Sequence, residues 1–175
     1  MPQNIPVPKL HAADIRQGGA PAPELVKEFD LDTAFDLWKA AAGAHDVPSW
    51  PDIDLLAFPT HLQRGTMVAD HHPDRNDYFI RFWGIDLADV FGIELSQKWL
   101  SDADHNGFMD SFAASAHETL AAREPAWLTH EITSPNGLRR VFPVLRLPLI
   151  CRKTGRGHVM TVENIARSMK FFAGN

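Results

Sequence analysis

The side chains able to do chemistry gather at a few points along the chain. Asp102, Asp104, Asn106 and Gly107 follow the first half of a calcium-loop pattern, and Asp110 falls at loop position 9. Such a loop closes carboxylate and carbonyl oxygens on a hard cation and needs a bidentate Glu at position 12. That position is Ala113, so the run reads as solvated residues capping a helix. Asp70-His71-His72-Pro73-Asp74 is rich in metal-ligand types. Adjacent histidines on a strand point to opposite faces, so the run is read as a polar turn. His105 and His117 stand on a longer helix, where a buried imidazole could ligate haem but a cap or surface imidazole would not. Cys151 has no C-x-x-C partner, which makes it a structural thiol rather than a nucleophile. The nucleophile-elbow, Walker A, dinucleotide-binding and H-E-x-x-H patterns are all missing from the sequence. No nucleophile–base pair emerges, so no catalytic residue and no metal ligand is assigned.

The composition narrows the setting. With 17 Lys+Arg against 22 Asp+Glu, the 175-residue chain carries a formal charge of −5. That leaves no basic footprint for nucleic acid, and none is expected as a partner. A single cysteine rules out an internal disulfide framework and suits a reducing, cytoplasmic setting. No apolar run approaches the roughly 18 residues of a membrane span, and the first residues lack an apolar signal core, so no membrane association is expected.

Period and punctuation give the elements that must position these groups. Prolines 2, 6, 8, 21 and 23, with Gly18-Gly19, make residues 1–29 an N-terminal arm, partly extended. Leu31, Ala34, Phe35, Trp38 and Ala41 recur at helical spacing, and Gly43 follows. Asp52 can cap a short helix that Pro59 stops. Residues 65–70 and 78–83 flank a polar turn and predict a hairpin. Leu87, Val90 and Phe91 give a short helical face closed by Gly92. A longer helix over 104–123 carries Phe108, Phe112, Ala116 and Leu120 in one stripe. Three further strands are expected over 127–133, 138–149 and 158–165, with Pro143 and Pro148 calling for a bulge or an end near 148. The fold class is therefore α+β, an antiparallel sheet with helices packed on it, over residues 30–168, with 169–175 as a C-terminal tail.

Tyr78, Ile80 and Phe82 alternate onto one expected strand face, and Leu87, Phe91, Phe108 and Phe112 supply helices to cover it. Such a layer is either a filled core, which apolar weight alone favours, or a small cavity for a ligand. The candidate pocket is Tyr78, Ile80, Phe82, Phe91, Phe108, Phe112 and Met160, with His105 and His117 as polar contacts.

Element order and several short motifs resemble the PAS domain superfamily, in particular a divergent stand-alone bacterial group common in alphaproteobacteria. The matching residues are Leu37-Trp38, Val47-Pro48-Ser49, Asp52-Ile53-Asp54 and the strand 78–84 with Arg81 before its glycine. Val90-Phe91-Gly92, Glu94-Leu95 and Leu147-Pro148-Leu149 complete the series, which spans residues 35–165. Ile85 and Ser96 depart from the pattern, where a small polar residue and a glycine are usual. The resemblance implies a five-stranded antiparallel sheet in the order 2-1-5-4-3, with helices on one face. Its N-terminal helix would pack outside, often at a dimer interface, which would place Phe35 and Trp38 there. It also implies a sensory or regulatory domain that binds a small, mostly apolar ligand between sheet and helices and signals through a homodimer or a protein partner. A ligand-free dimerisation module is the alternative, and a small-molecule enzyme a more distant one. The cofactor is unknown: neither haem nor flavin has a supporting motif. The flavin-type Asn-Cys-Arg run is missing, and Cys151-Arg152 lies on a different element.

Overall fold

The computed structural model of the chain describes residues 15–103, 108–134 and 136–173. Its strands are β1 (Ile15–Gly18), β2 (Thr66–His72), β3 (Asp77–Trp83), β4 (Lys98–Trp99), β5 (Ala126–Thr133), β6 (Arg139–Ile150) and β7 (Gly157–Val162). Its helices are α1 (Pro23–Glu28), α2 (Leu31–Ala42), α3 (Thr60–Gln63), α4 (Ile85–Phe91), α5 (Phe108–Ala122) and α6 (Ile165–Ala173). Short 3-10 turns at Trp50–Asp52, Leu55–Ala57 and Leu100–Asp102 link them.

All strands form one sheet in the order β1-β5-β6-β7-β2-β3-β4, every pair antiparallel. The five expected strands are its middle, in the expected order. Among the described residues the sheet has seven strands, because it carries one further short strand at each edge. At one edge Ile15 pairs with Ile132 and Gln17 with His130. At the other, β4 adds two residues to β3. A proline- and glycine-rich flank hides β1 from a pattern search, and two residues are too few to show alternation.

The expected helices form where apolar period and caps agree. On α2 the buried residues are Leu31, Ala34, Trp38 and Ala42, a helical stripe, and Gly43 closes it at φ 58°. The short helix expected before Pro59 is the 3-10 turn Leu55–Ala57, capped not by Asp52 but by Asp54, whose Oδ1 accepts from Leu56 N at 3.0 Å, and Pro59 follows as the N-cap of α3. The last strand stops at Val162, short of the expected 165, because Asn164 caps α6 instead. Its Oδ1 accepts from Arg167 N at 3.1 Å, and its Nδ2 donates to Phe29 O at 3.1 Å. Met169 and Phe172, in the stretch read as a tail, are buried on that helix.

Both prolines of β6 are accommodated without breaking it. Backbone groups on a strand alternate between its two neighbours. The Pro148 carbonyl accepts from Trp38 Nε1 at 2.9 Å, on the side where β5 has already ended at the Ala126–Arg146 pair. Alternation turns Pro143 toward β7, which ends at the Val162–Leu145 pair. Each missing N–H thus falls where no strand is left to accept it.

Candidate functional site

Strand alternation sorts the central side chains onto two faces. Arg146 pairs with Thr161, Thr161 with Met67, and Met67 with Trp83, so these four share a face. Arg146 contacts Ser115 and the Phe112 ring on α5, which makes this the inner face, under the helices. One residue out of step are Leu145, Leu147, Leu149, Met160, Val162, Val68 and Asp70 on the outer face. There α2 packs, its Phe35 ring 5.9 Å from Trp127, the register partner of Leu145.

A cavity of about 20 Å³ lies between the inner face and the helices, room for about one water. Met67 and Trp83 from the sheet, Leu87 and Phe91 from α4, and Phe112 from α5 make an apolar wall. Arg146, Thr161, His130 and Glu163 make a polar end. Gly65 belongs to the same lining, and a Cβ there would stand 2.0 Å from the Glu163 carbonyl oxygen. Only glycine permits that approach, which Glu163 N closes by donating to Gly65 O at 3.1 Å.

Arg146 dominates this polar end. It is 1% exposed, a cation set between Leu145 and Leu147 on a strand buried on both faces. Its Nε donates to Thr161 Oγ1 at 3.1 Å and its Nη1 to Gln17 Oε1 at 3.3 Å and to Ser115 Oγ. The guanidinium lies 4.7 Å from the Phe112 ring centroid, a cation–π contact. Among the described residues no carboxylate comes within the 4.0 Å of an ion pair with it. Glu163 is instead 2.9 Å from His130 Nδ1, both buried. Burial pulls the Arg146 pKa down to about 10, while the charge of Glu163 pulls it up.

Farther along α5, a more open cleft of about 290 Å³ is lined by His71, His117, Leu120 and Ala121 together with Ile150, Gly155 and Gly157. Tyr78 touches a lining residue of each space. Its ring centroid is 5.8 Å from that of Phe112, and its hydroxyl meets His117 Nδ1 at 2.8 Å. Burial raises the Tyr78 pKa to about 12, so the phenol stays protonated. Burial, with repulsion from His117 and His72, lowers that of His71.

The structure thus brings together Tyr78, Phe112 and His117, with Phe91 in the cavity wall and Ile80 buried in the same inner face. Phe82 and Met160 belong to the other face. The register between β2 and β3 slips at Val68/Ala69, so Ile80 opposes Ala69 while Phe82 opposes Val68. The extra residue, Arg81, turns Phe82 outward, which strict alternation could not foresee. Met160 sits between Val68 and Leu147 in register, one step out of phase with Thr161. Phe108 begins α5, its side chain outside the described residues, as are His105 and most of the calcium-like run. Trp38 is not at a free surface: it is buried and bonded to Pro148, and Phe35 packs on it and on Trp127. Arg146, Thr161, His130 and Glu163 were not found from the sequence. A lone arginine inside the apolar run 141–149 was the available signal.

Among the described residues no group of three or more His, Cys, Asp or Glu is arranged to hold a metal ion. None of their helices is long and apolar enough to cross a membrane. The sequence profile described as PAS domain matches residues 26–161. A search of curated proteins finds no match.

Proposed function

The chain belongs to the PAS domain family, and from that premise we propose that it is a cytoplasmic sensor whose small, mostly apolar ligand enters between the inner face and α4–α5. PAS domains are in general sensory or regulatory modules without an activity of their own, and they commonly mediate dimerisation or partner contacts. The observation that carries the reading is the inner cavity itself, apolar on the helix side with a few convergent polar groups on the sheet side. Ligand arrival would press on Phe91 and Phe112, one on each covering helix, and so reach the surface that a partner or a second copy reads.

A ligand at 100 times its Kd stabilises the fold by about 2.7 kcal/mol, which raises Tm by several degrees in a chain of this size. A thermal-shift screen of small apolar metabolites is expected to find such compounds. If none shifts Tm, and a crystal structure shows the interior fully packed, the ligand reading falls. The narrowness of the cavity, about 20 Å³, favours the second reading, a ligand-free interaction module. Under it, the exposed Leu56 and Ile85 belong to a contact surface, and charged substitutions there would disrupt self-association measured by light scattering.

A further inference from the structure

We propose that the cavity recognises a small monocarboxylate with an apolar body, and that Arg146 is its receptor. This rests on the cavity being a ligand site. Arg146 is buried, yet among the described residues hydroxyl and amide oxygens of Ser115, Thr161 and Gln17 are its only hydrogen-bond partners. They orient the guanidinium but do not neutralise it, and a desolvated cation is costly without an anion. Glu163, the acid at the same end of the cavity, lies 2.9 Å from His130 Nδ1 and acts on Arg146 only at longer range.

The planar fork of a guanidinium matches the two oxygens of a carboxylate. Glu163 at the same end repels a second negative charge, which disfavours a phosphate dianion. The wall opposite offers hydrocarbon and aromatic surface for the rest of the ligand. A body larger than one water enters only if the apolar wall of Leu87, Phe91 and Phe112 gives way. Since Phe112 lies against the guanidinium and belongs to α5, a ligand on the arginine would press on that helix.

The test titrates hexanoate and phenylacetate, with hexanamide and phenylacetamide as neutral matches of the same shape, into the full chain by calorimetry near neutral pH. The acids are expected to bind about 10-fold or more tightly than their amides, as a charge-assisted bond requires. Arg146→Met, checked for folding by circular dichroism, is expected to lose that preference. Should it fail to fold, Arg146→Lys keeps the charge without the fork and is expected to weaken the acids about 10-fold. Amides binding as well as acids, or an acid preference that survives these substitutions, overturns the proposal while leaving a ligand site in place. Stabilisation only by neutral compounds of the wider screen overturns it in the same way. Binding by nothing at all removes the ligand site too.

Discussion

Each face of the sheet buries a charged side chain, and the two are treated in opposite ways. On the outer face Asp70 accepts two hydrogen bonds from Arg81, at 3.0 and 2.6 Å, and one from His158 at 2.6 Å. Burial works to raise its pKa, but the bonds from His158 and Arg81 outweigh that and hold it at about 2. Because Asp70 stands on β2, Arg81 on β3 and His158 on β7, the cluster cross-links three adjacent strands. On the inner face Arg146 has neutral partners and a cavity beside it. A charge that is fully paired serves the sheet. A charge left without an acid is what the proposed ligand would neutralise.

The largest effect should come from breaking the paired cluster. Asp70→Asn keeps the shape but removes the acid, leaving Arg81 and His158 without it, and is expected to cost about 3 kcal/mol. Urea denaturation measures it as a lowered midpoint at unchanged slope. A loss below about 1 kcal/mol would erase the distinction between the faces.

Acid acts on the same cluster without a mutation. The Asp70 pKa is depressed from 3.8 to about 2. Its contribution is therefore fully present above the unfolded value and lost as pH falls through the folded one. A shift of that size corresponds to about 2 kcal/mol, lost between roughly pH 4 and pH 2. Stability measured across that window should fall more steeply in the parent chain than in Asp70→Asn. Parallel curves would show that Asp70 does not set the acid limb.

The inner face should respond more weakly. Tyr78→Phe removes the hydroxyl that meets His117 at 2.8 Å while keeping the ring packed on Phe112. The expected loss is about 1 kcal/mol, one net hydrogen bond. A loss as large as that of Asp70→Asn would mean that the helix side is held as rigidly as the outer face.

The contrast also explains what the sequence could and could not reveal. The helix at 31–42 and the central strands are legible because burial on one side writes a period into the residues. Phe82 was misplaced because one inserted residue, Arg81, reverses facing without altering composition. Phe91, Phe112 and His117 could be expected near the cavities, since aromatic and histidine side chains on helix stripes signal the covered side. Arg146 could not be placed by the same rule. Its strand is buried on both faces, so no alternation says which way it points. Its partners Gln17, Ser115 and Thr161 come from β1, α5 and β7, elements joined only by the finished fold.

The smallest stability effect is the most informative. Arg146→Met deletes a buried cation and fills much of its volume with a flexible apolar chain. The hydroxyls of Ser115 and Thr161 lose a partner, at about 1 kcal/mol each, but the desolvation cost of the guanidinium, several kcal/mol, also disappears. The two sides nearly cancel, and unfolding is expected within about 1 kcal/mol of the parent chain. Glu163 still lies 2.9 Å from His130 Nδ1. A loss near that of Asp70→Asn would instead place Arg146 among the groups that hold the sheet together, and the two faces would then differ only in where their charges sit. A neutral or stabilising result means that the fold carries this arginine at a cost that packing does not require.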